Sequence, residues 1–422
     1  MGFSQGVSGL SAAASNLDVI GNNIANSATV GFKSGSMQFS DVYAGSRIGL
    51  GTQVAGVMQN FTSGAVQSSN RSLDVAIVNG DGFFRMASPG GEVAYSRNGQ
   101  FNMDKNGFIV NAAGLQLTGY QVGANGAVAG GSPAALKLPT TAMSPLATTK
   151  INAQFNFDSR SAVIPATPAF DANNSATYSY ANAVTVFDSL GNSHELSTFF
   201  AKTAANKWST YATADGYPLN ASGAMTAPPT AAGPPTAANS AALSSGKLSF
   251  DTSGAMVAPA PVTFAGLDFA NGSAPMDFAA DLTGTTQFGN ANDVKKLTQN
   301  GYTSGQLTSF AINQDGTVNG KYSNEQGKAL GQIVLSSFVN PNGLQPKGDN
   351  VWAETAASGQ PLTGKPGSGT KAGSLASGAV EGSNVDMTAE LVNLIIAQRT
   401  YQANAQTIKT QDQVAQTLIN LR

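Results

Sequence analysis

The pattern of hydrophobic positions is helical at both ends of the chain and strand-like in the middle. From residue 383 onward there is neither glycine nor proline, and apolar or small side chains recur at alternating spacings of four and three. That spacing is typical of a helix packed along one seam, close to heptad geometry. The stretch 384–422 is therefore predicted to be one long helix, with seam positions Met387, Leu391, Leu394, Tyr401, Ala405, Ile408, Ala415 and Ile419.

The first 30 residues carry a similar stripe of apolar positions. Asp18 is the single formal charge in residues 1–32, which favours a helix that is buried on most sides. The C-terminal helix would be about 55 Å long, too long for one small domain to cover, so we expect the two ends to pair as a coiled-coil-like stem. Two interpretations remain open: an intramolecular hairpin of the termini, or a stem that also packs against copies of itself. The expected subunit interface comprises Phe3, Val7, Leu10, Leu17, Ile24, Met387, Leu391, Leu394, Tyr401, Ile408 and Ile419.

The middle of the chain has the pattern of short strands and turns. All the prolines lie between Pro89 and Pro366, and strand-like runs occur at 73–78, 183–187, 196–200, 309–312 and 332–338. Gly31 is a plausible end for the first helix, and the tract 219–245 is interpreted as loops. These patterns predict a multidomain α + all-β fold, with paired terminal helices and two nested β-rich domains of sandwich or barrel type.

The predicted layout is nested: the stem, the linkers and the inner β domain each combine an early and a late range of the chain, and the outer β domain is inserted between them. The boundaries are 1–33 with 384–422 for the helical stem, 34–70 with 359–383 for extended linkers, 71–146 with 299–358 for an inner β domain, and 147–298 for an inserted outer β domain.

Composition and charge exclude several classes of function. Charged residues make up 11% of the chain and the net charge is −2, so no basic stripe exists to meet nucleic acid. There is no cysteine, hence no disulfide framework and no thiol nucleophile. The chain contains no run of about 18 apolar residues, so no membrane-spanning segment is predicted. The N-terminus lacks the basic and apolar regions of a cleavable signal peptide.

Three stretches contain residues typical of a catalytic or ligand-binding site, but none supports such a site. The single histidine, His194, clusters with Asp188 and Ser189 on one predicted turn. We interpret this turn as a solvated hairpin rather than as a catalytic triad. The segment 104–107 departs from a calcium loop and predicts a hairpin turn, and 364–371 departs from a phosphate loop. The sequence therefore predicts no catalytic residue, no cofactor and no metal, and a protein that is not an enzyme.

Three motifs, in the order found here, resemble the bacterial flagellar rod and hook proteins. The inner-domain motif lies at 73–77, 82–84 and 95–101. The two terminal motifs consist of Asn22, Asn23, Asn26, Gly31, Phe32 and Lys33 near the start, and Asn384, Asp386, Gln398, Arg399 and Tyr401 near the end. Two further stretches, 186–192 and 315–324, are similar to hook subunits rather than rod subunits; the alternative is a distal rod subunit.

The resemblance implies a structural subunit of the flagellum that is exported without a cleavable signal and lies outside the cell. It implies assembly into a curved helical tube with a central export channel, which acts as a universal joint between rod and filament. Besides copies of the chain, the implied partners are the distal rod protein, the hook cap protein, the hook–filament junction proteins, the hook-length control protein and the flagellar export apparatus.

Overall fold

The computed structural model describes residues 2–42, 49–123, 127–128, 130–227, 229, 240–257, 261–367 and 371–420. Predictions for residue 1, for part of the tract 219–245, for 368–370 and for the last two residues lie outside this range. Two helices, α1 (Gly2–Ala25) and α2 (Met387–Asn420), stand at the ends of a chain that is otherwise mostly β-sheet. The predicted combination of terminal helices with β-rich domains is confirmed at this level.

The described chain forms two compact units. The terminal unit contains both chain ends and comprises 1–140, 307–321 and 327–422; the inserted unit comprises 141–306 and 322–326. The strands of the first half are β1 (Gly35–Val42), β2 (Gly51–Gln59), β3 (Val66–Ser68), β4 (Val75–Val78), β5 (Phe83–Ala87), β6 (Val93–Ser96), β7 (Asn102–Met103), β8 (Ile109–Val110), β9 (Gln116–Tyr120), β10 (Ala134–Ala135), β11 (Lys150–Asp158), β12 (Tyr180–Phe187), β13 (Ser193–Ala204) and β14 (Lys207–Ala214). Those of the second half are β15 (Tyr217–Pro218), β16 (Lys247–Ser249), β17 (Val262–Leu267), β18 (Met276–Asp281), β19 (Thr286–Phe288), β20 (Asp293–Gln299), β21 (Leu307–Ile312), β22 (Thr317–Tyr322), β23 (Gly327–Ile333), β24 (Leu335–Ser337), β25 (Gln345–Gly348), β26 (Val351–Ala353), β27 (Leu362–Gly364), β28 (Ser374–Ser377) and β29 (Ala379–Glu381).

One large sheet organises the β part of the terminal unit, in the order β21-β22-β23-β9-β5-β6-β26-β25. Alternation along β5 sends successive phenylalanines to different clusters. Phe84 packs edge-on against Phe101 with ring centroids 5.1 Å apart, in a cluster that includes Val75 and Ile77. Phe83 packs in a second cluster of buried side chains with Tyr95, Phe338, Leu344 and Trp352.

Two short strand pairs join the early part of this unit to its late part. Strand β4 pairs with β28, and β3 pairs with β29. The segment 359–383 was predicted to be an extended linker because it is rich in glycine and serine, yet β27, β28 and β29 lie within it. A glycine opposite this segment permits close approach of the two backbones: a Cβ at Gly82 would lie 2.5 Å from the carbonyl oxygen of Ala372.

A long hairpin occupies much of 34–70, which was predicted as an extended connector with some strand. Strands β1 and β2 pair antiparallel from Gly35 opposite Gln59 to Val42 opposite Gly51. Helix α1 ends at Ala25 rather than near Gly31. The last helical hydrogen bond runs from the N–H of Asn26 to the carbonyl of Asn22 at 3.1 Å, whereas the N–H of Ser27 bonds only three residues back, to Ile24 at 3.3 Å, so residues 26–28 continue as turns.

The inserted unit is a sandwich of two five-stranded sheets. One has the order β17-β18-β11-β19 with β20 beside β11, and the other β12-β13-β14-β15 with β16 beside β14. Alternating side chains of both sheets form one core. Phe157 stacks on Trp208 at 4.8 Å, and the indole N–H of Trp208 donates to Gln287 at 2.8 Å. The core thus satisfies the polar atom of its largest side chain.

The predicted hairpin turn joins β12 to β13 and is largely exposed, at Ser189, Leu190, Asn192 and Ser193, but His194 beside it is buried. The imidazole is buried and stacks on Phe269, with ring centroids 3.4 Å apart. Its Nδ1 lies 2.6 Å from a carboxylate oxygen of Asp215, and its Nε2 lies 3.3 Å from one of Asp188. The prediction missed this arrangement because Asp215 and Phe269 are distant in sequence. Burial alone would raise the pKa of Asp188, but hydrogen bonds from Asn192 and Asn271 and from His194 hold it well below its usual range.

We expect the inserted unit to lose stability in acid through Asp188. A carboxyl with a depressed pKa in the folded state stabilises fully above its unfolded pKa of about 4, and that stability is lost as the pH falls through the folded value. Asp188→Asn should therefore lower stability at neutral pH by roughly 1–3 kcal/mol and make stability depend less on pH in acid. Thermal unfolding of both proteins between neutral pH and strong acid measures this. The same loss of stability with falling pH in both proteins would contradict the role of Asp188.

Candidate assembly site at the terminal helices

Helices α1 and α2 pack together antiparallel. A Cβ at Gly6 would lie 2.9 Å from Cγ1 of Ile408, and a Cβ at Gly9 would lie 2.9 Å from the side chain of Asn404. Further along, the side-chain amide of Asn23 donates to Glu390 at 3.1 Å. The glycines allow the two backbones to approach closely, which larger side chains at these positions would prevent.

The start of α2 is capped by its own sequence. A side-chain oxygen of Asp386 accepts hydrogen bonds from the backbone N–H of Thr388 at 2.9 Å and of Ala389 at 3.1 Å. An aspartate in this position satisfies donors that the first turn leaves free. Glu390 adds a second carboxylate at the positive end of the helix dipole.

Most of the α2 surface is not covered by the chain itself. Of the α2 side chains that the structure describes, only Ala397 is buried. Successive turns at the start of the helix expose Leu391 (46%), Val392 (52%), Ile395 (51%) and Ile396 (57%). We call these four residues the α2 stripe. Their spacing places them on one side of the helix, and polar residues follow them along that side.

The predicted interface residues fall into two groups. One group lies exposed and the other is partly buried, and Ile408 of the second group lies against Gly6. The exposed residues are Phe3, Val7, Met387, Leu391, Tyr401 and Ile419. The partly buried residues are Leu10, Leu17, Ile24, Leu394 and Ile408.

Two asparagines from opposite ends of the chain hold the base of the β1–β2 hairpin. The side chain of Asn23 accepts from the backbone N–H of Gly35 at 2.9 Å and donates to its carbonyl at 2.8 Å. The side chain of Asn384 accepts from the N–H of Ser34 at 2.8 Å and donates to the carbonyl of Asn60 at 2.7 Å. Each amide presents the donor and acceptor of a peptide group, so it satisfies backbone atoms as a neighbouring strand would.

The remaining motif residues divide between this junction and the helix surface. Gly31 has a φ of 72°, and its N–H donates to the carbonyl of Glu381 at 2.8 Å. A Cβ there would lie 2.7 Å from the backbone nitrogen of Asn98, so both conformation and space require glycine. Phe32 is partly buried nearby. Asn22, Gln398 and Arg399 are exposed on the helices.

A buried cluster of charges lies beneath the helices. Lys33 Nζ is 2.6 Å from Oε1 of Glu381, and an Arg97 guanidinium nitrogen is 3.2 Å from its Oε2; all three side chains are essentially inaccessible to solvent. Burial lowers the pKa of Lys33, and the charge of Arg97 lowers it further, whereas Glu381 raises it. Burial likewise lowers the pKa of Arg97 against the attraction of Glu381 and Asp81.

Lys33 and Arg97 belong to the family motifs found in the sequence, whereas Glu381 lies outside them and was not predicted. The available signal was a lone acid in a glycine- and serine-rich stretch, followed closely by the Asn384 motif. Among the described residues, no group of three or more histidine or acidic side chains is placed to hold a metal ion. None of the described helices is long and apolar enough to cross a membrane.

Four family profiles match separate parts of the chain between residues 4 and 421. Their descriptions are Flagella basal body rod protein for 4–33, Flagellar hook protein FlgE/F/G D1 domain for 77–154, Flagellar basal body protein FlaE D2 domain for 156–302, and Flagellar basal body rod FlgEFG protein C-terminal for 376–421. The curated Flagellar hook protein FlgE of Escherichia coli (strain K12) is 47% identical over 425 residues, which covers 100% of both chains. The chain belongs to the flagellar hook protein family.

Other hook proteins show the same full-length correspondence. The hook protein of Salmonella typhimurium (strain LT2) is 48% identical over 424 residues, covering 100% of both chains. That of Borreliella burgdorferi is 30% identical over 99% of this chain and 98% of its own. The prediction of a hook subunit over a distal rod subunit is confirmed.

The fold is also shared with a solved structure. A crystal structure of Helicobacter pylori flagellar hook protein FlgE2 aligns with a TM-score of 0.53, covering 75% of this chain and 99% of that chain at 12% identity. At this identity the similarity concerns the fold alone.

Substituting the glycine at the helix contact should separate α1 from α2. We expect Gly6→Leu to open the pair, because a Cβ there already lies 2.9 Å from Ile408; Gly21→Leu is the control, since a Cβ at Gly21 would meet nothing within 4 Å. The control also removes a helix-destabilising glycine, worth about 1 kcal/mol. Amide exchange of both helices in the free chain measures the difference. Equal exchange in the two variants would show that the close approach at Gly6 does not hold the pair.

Proposed function

We propose that the chain polymerises with copies of itself into the curved helical tube of the flagellar hook. The tube acts as a universal joint that transmits motor torque from rod to filament, and its central channel carries exported subunits. The observation that carries this proposal is the exposed α2 stripe of Leu391, Val392, Ile395 and Ile396 on a helix that buries only Ala397 among its described side chains. An apolar face of this kind needs a partner in water.

Burial of the α2 stripe supplies a driving force for assembly. Removing one large aliphatic side chain from water is worth about 1.5–3 kcal/mol. Four such side chains give several kcal/mol per subunit before the cost of association. The energy repeats with every copy in a helical polymer, so a modest contact between two chains becomes a stable wall.

The antiparallel pair of α1 and α2 is the proposed stem, and it packs like a coiled coil once neighbouring stems are present. In this arrangement the exposed residues Phe3, Val7 and Tyr401 face other copies together with the α2 stripe. The charge-poor sequence of α1, with Asp18 as its single formal charge, suits a position within a close-packed wall.

The β units extend from the stem and supply the remaining contacts. Within the proposed function, the ranges 71–146 with 299–358 and 147–298 are the inner and outer β domains of the hook. Charged residues make up 11% of the chain, and few charges on the β domains let neighbours slide during bending without strong directional ion pairs.

The remaining partners follow from the place of a hook in the flagellum. The export apparatus delivers the chain without a cleavable signal, the cap protein guides its assembly, and the length-control protein ends it. The distal rod protein and the junction proteins bind at the two ends of the tube. The role is structural, with no reaction catalysed.

A charge in the α2 stripe should abolish the polymer. We expect Leu391→Asp to prevent tube formation because a carboxylate cannot be buried in an apolar contact without a partner. Gln406→Asp is the matched control, since it adds the same charge at an exposed position of α2 outside the stripe. Ile408→Asp should also block assembly but is less selective, because Ile408 lies against Gly6.

Electron microscopy of the concentrated proteins measures the outcome, beside a version that lacks 1–30 and 384–422. Curved tubes from the wild type and Gln406→Asp, with none from Leu391→Asp or the truncated chain, are expected. Straight rods from the wild type would contradict the universal-joint proposal, and tubes from Leu391→Asp would contradict the role of the stripe. Circular dichroism of each variant checks that the β units remain folded.

The ends of the free chain should be mobile and should become ordered in the polymer. Helix α2 buries only Ala397 among its described side chains, so it has little cover without neighbours. We expect amide exchange in 1–30 and 384–422 to be faster in the monomer than in the tube. Equal protection in the two states would refute this expectation.

A further inference from the structure

The buried charges at the base of the helices suggest a device for holding the chain ends. We propose that Lys33, Arg97 and Glu381 form a charge latch that fixes both ends of the chain to the terminal unit, whether or not α1 and α2 are packed. Glu381 is its indispensable member. The latch is a property of the single chain and stands independently of the polymer.

The latch joins three parts of the chain that are far apart in sequence. The Glu381 carboxylate accepts from Lys33 at 2.6 Å, from the backbone N–H of Gly64 at 2.9 Å and from Arg97 at 3.2 Å. Lys33 also donates to the carbonyl of Thr62 at 2.7 Å. One side chain of β29 thus connects the segment after α1, the segment before β3 and the turn after β6.

The charges of the latch are unequal. Two cations share one carboxylate, and Arg97 Nε is buried without a hydrogen-bond partner. Asp81 also acts on both cations, but it is exposed and therefore screened by water. The buried cluster carries a net positive charge, because one carboxylate faces two cations. Within the cluster, in contrast, each cation faces only that carboxylate.

This imbalance predicts unequal consequences for removing the carboxylate and for removing a cation. Without Glu381, two cations would stay buried side by side, and they would reach water only if the segment around Lys33 left its site. Without Lys33, one cation and one carboxylate would remain as a balanced pair. A buried pair broken on one side is strongly destabilising, whereas a balanced pair is tolerated.

The latch also marks where order should stop in the free chain. Backbone hydrogen bonds flank it on both sides, from Gly31 to the carbonyl of Glu381 and from Gly382 to the carbonyl of Ala65, each at 2.8 Å. Beyond it, α2 has little cover within the chain. The latch therefore anchors the two helices at a fixed point while leaving them free to exchange partners.

Amide exchange of the monomeric full-length chain tests the latch with two single variants. In Glu381→Gln, exchange in 31–34 and 62–66 should rise by at least about tenfold, since the loss of one partner of a buried pair is severe. In Lys33→Met it should rise by less than about threefold, because the charge left behind is balanced. The inserted unit serves as the internal reference in every sample.

A double variant keeps the test decisive if Glu381→Gln does not fold. Lys33→Met with Glu381→Gln restores the net charge of the native cluster, so its exchange should fall below that of Glu381→Gln, or folding should return. Equal increases in amide exchange in Lys33→Met and Glu381→Gln would overturn the proposal, because they would show that the hydrogen bonds matter and the charge balance does not. A double variant no better than Glu381→Gln would also overturn it, as would unchanged exchange in Glu381→Gln.

Discussion

A 34-residue helix that finds almost no cover within its own chain is the constraint on which the rest of the structure depends. Helix α2 is capped by Asp386 and contacts α1 through two glycines, yet it leaves its α2 stripe in water. The single chain can make this helix but cannot complete its packing. Its apolar face is therefore surface reserved for other copies, and the β units must stay folded without help from the helices.

The helices and many strands could be predicted from sequence because their signals are local. Absence of glycine and proline after residue 383 and the four–three spacing predict α2 almost to its ends. The pairs β3–β29 and β4–β28 could not be predicted, since their partners lie about 300 residues apart. Glycine-rich composition suggested a flexible linker at 359–383, although Gly373 within it packs closely against the backbone at Val78 and Gly80. Local composition does not distinguish these two uses of glycine.

The candidate site shows the same division. The motif residues Asn23, Lys33 and Asn384 could be identified from sequence, but their roles required the fold to bring both ends together. The predicted seam had the right helices, and the structure shows α1 closest to α2 at Gly6 and Gly9, where a Cβ would lie 2.9 Å from side-chain atoms of α2. The histidine of the inserted unit shows a related limit: the polar turn at 189–193 is largely exposed as predicted, but His194 is buried because Phe269 and Asp215 arrive from elsewhere in the chain.

The terminal unit therefore separates two tasks that a torque-bearing polymer must combine. Asparagine side chains and buried charges fix the base of the helices through directional bonds, which tolerate little displacement. The helix surface above relies on apolar contact, which is non-directional and can be re-formed at slightly shifted positions. A subunit that is rigid below this junction and adaptable above it can change its contacts with neighbours during bending while its β units keep their own hydrogen bonds.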